Sequence, residues 1–250
     1  MKEIVLMYHD VYNSSESESG FQFPTSFPYK VNAREFEKHV QYAYNYCKHH
    51  NRPLDSIKFS FDDGGESFFS IIAPILEKYG FKGIFCISTK RIGADKFLTK
   101  NQIKELHHRG HLIASHSHTH PKNMSVLSMQ ELLFEWQTSM KLLEEIIQEP
   151  ITIASVPSGY SSATVIQSAL LSGITTLYTS KPTTQITRYK DIDIVGRFVV
   201  HNNTSLEVVH KIISMSVYRT KQLLKWHIIG LAKKILGPYY NRIKSRCFKN

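Results

Sequence analysis

The stretch IKFSFDDGGES, residues 57–67, decides the fold. It starts as a β-type run, reaches two adjacent aspartates and turns on two glycines. Inside a strand, Asp62 and Asp63 would point to opposite faces, leaving one carboxylate buried and unpaired. At a strand end, where the chain turns, both can face one pocket. A metal ligand beside a general base needs that arrangement. The plainer reading is a turn, because Asp-Gly is ordinary turn chemistry.

The same grammar repeats outward along the 250 residues. EIVLMY (3–8), IKFSF (57–61), GIFCIS (83–88), HLIAS (111–115), ITIASV (151–156), TTLYT (175–179) and DIVGRFVV (193–200) read as seven strands. Helical patterns separate them. AREFEKHVQYAYNYCKHH carries Phe36, Val40, Tyr44 and Cys47 at helical spacing, with Asn32 and Glu35 as a capping box. Helices are also expected over 66–79, between Thr99 and Gly110, over 129–147 behind Ser128 and Glu131, and over 161–172. The Ser-rich stretch 13–20 reads as an exposed loop. Strands alternating with helices imply a parallel sheet, either a closed barrel or an open doubly wound sheet. In both, catalytic groups gather at the C-terminal strand ends.

Three polar clusters sit at such ends. His9 and Asp10 follow the first strand, Asp62 and Asp63 the second, and SHSHTHP (115–121) the fourth. His116 and His120 are four apart and can converge, while His118 points elsewhere. Two imidazoles and one carboxylate make a catalytic zinc shell with an open position for water. A polar histidine loop without a ligand is the alternative. If Asp63 is the third ligand, Asp62 is free to act as base, and His9 is placed to act as acid.

These residues carry a resemblance. SFDDG resembles the T-F-D-D-G motif of the polysaccharide deacetylases (carbohydrate esterase family 4, the NodB homology domain). HSHTHP is similar to their H-[ST]-x-x-H motif. LMYHDV (6–11) is similar to the start of the subgroup that includes biofilm poly-N-acetylglucosamine deacetylases. Over residues 3–203, the resemblance implies an α/β fold, a distorted (β/α)7 TIM-like barrel. It implies metal-dependent removal of N-acetyl groups from sugars. It implies Asp62 as base, Asp63, His116 and His120 as ligands of a divalent metal, and His9 as acid. Zinc is the first choice, with cobalt, nickel, manganese or iron as alternatives. Ser117 would hold the loop.

The third motif of the family, R-x-P-Y, departs here. The matching stretch is SVPSGY, with Ser155 where the arginine would be. Arg197 is the candidate replacement. Pro157, Gly159 and Tyr160 would shape the substrate wall, with Tyr160 stacking on a sugar. His201, ending VVH, is the second choice for acid.

Charge divides the chain in two. Net charge is +10, yet residues 208–250 hold ten Lys or Arg and no Asp or Glu, so the first 207 residues are neutral. The expected division is a catalytic domain over 1–205 and a basic amphipathic helical extension over 206–250. Within 216–240, Val217, Leu224, Ile228, Leu231, Ile235 and Tyr239 recur at helical spacing, with Trp226 among them. That pattern fits a helix in a membrane interface, or one packed on the barrel. No nucleic-acid motif accompanies the charge. No apolar run is long enough to span a membrane. His9 and Asp10 come too early for a signal-peptide core, and Cys47, Cys86 and Cys247 have no metal spacing. The expectation is a cytoplasmic enzyme, peripheral at the inner membrane face, with free thiols. Its substrate would be a nucleotide- or lipid-linked acetamido sugar from a surface polysaccharide or O-antigen pathway. A glycan- or lipid-phosphate-binding relative without turnover, and an amidase or deformylase, are the alternatives.

Overall fold

The structure is a computed structural model and describes residues 3–236. The chain runs β1 (Ile4–Tyr8), β2 (Val11–Tyr12), β3 (Val31–Asn32), α1 (Ala33–His49), β4 (Ile57–Phe61), α2 (Ala73–Lys78), β5 (Gly83–Ile87), α3 (Lys100–His108) and β6 (Leu112–Ser115). It continues through α4 (Met129–Ile147), β7 (Ile153–Ser155), α5 (Ala163–Leu171), β8 (Thr176–Tyr178), β9 (Ile186–Tyr189), β10 (Ile192–Val195), β11 (Phe198–Val199), α6 (Leu206–Ser214) and α7 (Ser216–Leu236).

Nine strands form one sheet in the order β11-β1-β4-β5-β6-β7-β8-β10-β9. Neighbours run parallel, except that β9 folds back antiparallel on β10. The run expected at 193–200 is broken into β10 and β11. Its first half pairs with β8 and its second with β1, so one interrupted strand touches both sides of a curled sheet. The break falls at Gly196, where a side chain would meet the Lys181 carbonyl oxygen at 2.3 Å. This is the distorted form of a (β/α) barrel. β1 and β5 are buried at every position, as strands covered on both faces must be.

The helices bury one stripe each. In α1, Phe36, Val40, Ala43 and Cys47 are fully buried, each large apolar side chain contributing about 1.5–3 kcal/mol. Thr99 and Ser128 close reciprocal capping boxes with Gln102 and Glu131. Asn32 caps α1 differently from expectation. It accepts from the Arg34 N–H at 3.0 Å, while Glu35 pairs with Lys38 instead. The expected helix over 66–79 starts as a π turn, Phe68–Ile72, and becomes α2 afterwards. Pro74 stands at that junction with no N–H for the Ser70 carbonyl. The Ser-rich stretch is only partly exposed, because Ser19 and Gly20 are buried against the end of β1. Among the described residues, Cys47 and Cys86 are buried and unpaired; Cys247, Tyr239 and the rest of 237–250 lie outside them. No described helix is long and apolar enough to cross a membrane.

Candidate active site

The ends of β1, β4, β6 and β7 converge on one rim. Asp62 and Asp63 leave β4 into a tight left-handed turn, with φ of +89° at Asp63 and +91° at Gly64. That turn resolves the two-carboxylate question: it bends the chain so that both acids, 3% and 7% exposed, face the same space.

Asp63, His116 and His120 offer three ligand atoms within 4.8 Å of one another. Asp63 Oδ1 lies 3.5 Å from His116 Nε2 and 3.2 Å from His120 Nε2. That oxygen is buried and has no well-aligned hydrogen-bond donor among the described residues. An orphaned carboxylate oxygen facing two imidazole nitrogens has the chemistry of a cation site. The donor set fits a divalent metal. Burial alone would raise the Asp63 carboxyl, but the two imidazoles and His9 hold it well below its usual range.

The loop carrying the histidines is clamped from behind. Ser117 and His120 both adopt positive φ, an arrangement that needs local hydrogen bonds. Ser117 Oγ accepts from the His120 N–H at 3.2 Å, and Ser115 Oγ accepts from the Ser117 N–H. Buried Glu135 on α4 accepts from the N–H groups of His118 (2.9 Å) and Thr119 (2.8 Å) and from the Thr119 hydroxyl. His118 turns outward, its Nδ1 2.9 Å from Thr89 Oγ1.

Ser155 occupies the position of the motif arginine and links the two halves of the site. His116 Nδ1 is 2.5 Å from Ser155 Oγ, which in turn donates to Asp62 Oδ1 at 3.2 Å. The direction of this chain puts the proton on His116 Nδ1 and leaves Nε2 free for a ligand. The guanidinium comes from Arg197, at the break between β10 and β11. Arg197 is 1% exposed and forks both Asp62 oxygens, Nη1 to Oδ1 at 2.7 Å and Nη2 to Oδ2 at 2.8 Å. Its Nε donates to the Thr179 carbonyl, and its plane lies over Tyr178. Burial would raise the Asp62 carboxyl, but the Arg197 charge, with His116, holds it well below the usual carboxylate range. Asp62 Oδ2 stands 4.0 Å from His116 Nε2, so this acid faces the same space as the triad.

Two cavities meet here. One, about 250 Å³, is lined by His9, Asp10, Asp63, His116, His120, Phe21, Phe23 and Tyr29, among others. The other, about 390 Å³, is lined by His9, Tyr29, Asp62, Ser158, Gly159, Arg197, His201 and Trp226, among others. His9 reaches both, and its buried Nδ1 has no partner among the described residues. Burial pushes its imidazole down, against Asp63 and Asp62, which raise it. Of these two cavities, His201 lines the second and not the first. Tyr29 stands between the two histidines, ring centroids 4.4 Å from His9 and 4.8 Å from His201. Gly159 reaches the second cavity, but Pro157 and Tyr160 line neither, and Tyr160 is 46% exposed.

Sequence reasoning missed Tyr29, Phe21, Phe23, Ser158 and the role of Asp10. The aromatic residues lie in the 13–30 loop, which has no periodicity to read. Asp10 was visible beside His9, but its buried partners Ser19 and Ser67 were not.

Residues 49–177, just over half of the chain, match the family model described as polysaccharide deacetylase. The chain is 25% identical over 192 residues to the putative polysaccharide deacetylase YxkH of Bacillus subtilis (strain 168); the match spans 71% of this chain and 64% of that relative, so somewhat less than two thirds of the relative's length is represented. The fold is similar to that of the Streptococcus pyogenes deacetylase PplD solved with acetate, with a TM-score of 0.67, 21% identity, and coverage of 86% of this chain and 99% of that one. It is also similar to BC0361, a polysaccharide deacetylase from Bacillus cereus, with a TM-score of 0.70, 19% identity, and coverage of 86% and 69%. With the two aspartates, the two histidines and the curled parallel sheet on one rim, the family match leads to a single conclusion: this chain belongs to the polysaccharide deacetylase family.

Proposed function

We propose that this protein is a metal-dependent hydrolase that removes the N-acetyl group from an acetamido sugar. The observation that carries this reading is the buried Asp63–His116–His120 cluster beside a second carboxylate, Asp62, forked by Arg197. A bound divalent ion, most readily zinc, would polarise the amide carbonyl and lower the pKa of water there. Asp63, His116 and His120 would hold it. Asp62 then accepts the proton of the attacking water. Arg197 keeps Asp62 ionised and points it at the triad. His9, which lines both cavities, delivers the proton to the leaving amine; His201, which lines the larger one but not the smaller, is the second candidate. Phe21, Phe23 and Tyr29 surround the smaller cavity and give a sugar ring apolar faces to stack on.

The altered third motif favours a non-catalytic relative only while its arginine is missing. Arg197 supplies a guanidinium to Asp62 from another strand, and that observation favours turnover. The proposed substrate is a surface-polysaccharide precursor of the O-antigen kind, carried on a nucleotide or a lipid. The basic C-terminal extension supports an anionic carrier of this sort.

Metal content by mass spectrometry tests the site. The wild type should hold about one divalent ion per chain, and the His116→Ala, His120→Ala variant almost none. Acetate release from acetamido sugars should follow the metal and vanish in Asp62→Asn. Equal metal in both proteins would remove the ligand assignment. A full site with no acetate released from any acetamido sugar would redirect the search to other small amides.

A further inference from the structure

We propose that α7 docks the protein on an anionic lipid surface, so that the channel behind this helix opens toward the bilayer. The two sides of α7 are unlike. On its outer side, Val217, Leu224, Ile228 and Leu231 are spaced seven, four and three apart and so share one face. Each is 59–62% exposed, and nothing among the described residues covers them. A row of four large aliphatic side chains in water marks an interaction surface.

On its inner side, Tyr218, Gln222, Trp226 and Ile229 wall a cavity of about 530 Å³. That cavity shares Ser180, Val199, His201 and Trp226 with the one that contains Asp62, Arg197 and His9. Cavities with four wall residues in common adjoin, and joined they make one channel from the outer edge of α7 to the proposed base. Lys221 and Lys225, one and two turns beyond Val217, lie along the seam between the aliphatic row and the channel mouth. No acidic residue lines the outer cavity.

Charge selects the occupant. After Glu207 the sequence has ten Lys or Arg and no acid, whereas everything before is balanced. A helix with an apolar row flanked by lysines is attracted to anionic headgroups and buries its row at the acyl boundary. A second copy of this chain would bring the same excess positive charge against itself across an isologous contact. The deacetylase reading enters only in what passes along the channel. On that reading, docking selects an acetamido sugar joined through phosphate to a lipid, with Lys221 and Lys225 at the phosphate.

Sedimentation of the 250-residue chain with vesicles decides the docking, because it needs no turnover. Binding is expected to vesicles of equal parts phosphatidylcholine and phosphatidylglycerol, and not to phosphatidylcholine alone. It should weaken steeply as salt rises from about 0.1 to about 1 M. The triple variant Leu224→Ser, Ile228→Ser, Leu231→Ser should melt like the wild type, its changes being on the surface, and bind at least about tenfold more weakly. Equal binding of wild type and variant, or binding to neither vesicle, would overturn the proposal. So would a dimer that the triple variant dissociates. In mixed vesicles the same variant should slow acetate release from a lipid-linked acetamido sugar, but not from a water-soluble one. Release from neither substrate, with docking intact, would count against the deacetylase reading alone.

Discussion

Arg197 and Asp62 show how a residue's chemistry depends on a partner far away in sequence. The pair is separated by 135 positions and is almost fully buried. Two parallel N–H···O bonds of 2.7 and 2.8 Å fix the carboxylate in plane, which a single ammonium cannot do. Breaking a buried pair outright typically costs about 3–5 kcal/mol, because a charge is left behind. Arg197→Lys keeps the charge and loses the fork. It should lower stability by about 1–3 kcal/mol in urea melts and, on the deacetylase reading, lower kcat at least about tenfold with little change in KM. An unchanged kcat would mean that the orientation of Asp62 does not matter to turnover. The aspartates and histidines of the rim were legible because each follows a strand directly. Arg197 was reachable only by asking what replaces the arginine at Ser155. Tyr29 and the outward turn of Tyr160 were not legible, since tertiary packing of loops decides both.

At the scale of elements, Asp10 ties three segments together. Its Oδ1 accepts from Ser19 Oγ at 2.7 Å, in the Ser-rich loop, and from Ser67 Oγ at 2.9 Å, at the π turn. Ser19 Oγ also receives the Ser67 N–H, and Lys30 Nζ donates to the carbonyls of Glu16 and Ser19. The same loop brings Phe21, Phe23 and Tyr29 to the cavity, so Asp10 holds part of the wall without joining the triad. The composition of 13–20 reads as solvent-exposed; a buried acid needing donors is what pulls Ser19 inward. Burial pushes the Asp10 carboxyl up to about 6, with Ser19 opposing and Asp63 adding to the shift. Its folded pKa is thus above its unfolded value near 4. The native state therefore binds the extra proton between these pH values, and stability from this group falls as pH rises from about 4 to about 6. The cost above pH 6 is about 2–3 kcal/mol. Asp10→Asn keeps an oxygen for the two hydroxyls and removes the titration. Thermal melts from pH 4 to 8 should show the variant gaining on the wild type up to about pH 6 and then running parallel to it. A constant difference over the whole range would mean that Asp10 does not titrate there.

At the scale of the whole molecule, the curled sheet depends on its last run serving two neighbours at once. The seven strand positions were legible from alternating apolar runs, and so was the rim that they build. The interruption at 196–197 and the antiparallel β9 were not, because DIVGRFVV reads as one continuous strand and the pairing of its halves is a long-range choice. Gly196 makes the switch possible. A Cβ there would lie 2.3 Å from the Lys181 carbonyl oxygen, 2.5 Å from Thr183 Cγ2 and 2.8 Å from the Thr183 carbonyl oxygen, and two of those three atoms are backbone that cannot swing away. The Arg197 N–H also donates to the Lys181 carbonyl at 3.0 Å, so pushing that segment back breaks the bond beside the fork. Gly196→Ala should therefore cost about 2–4 kcal/mol of stability and lower the guanidinium chloride midpoint accordingly. The loss should be local in origin. Amides of β10 and β11 should lose hydrogen-exchange protection first, while those of β4 and β5 keep theirs until global unfolding. On the deacetylase reading, because Arg197 moves with the seam, acetate release should also fall in this variant where it is still folded and holds its metal. A lower midpoint with the seam amides still protected would place the strain elsewhere, and an unchanged midpoint would show that the sheet closes without this close approach.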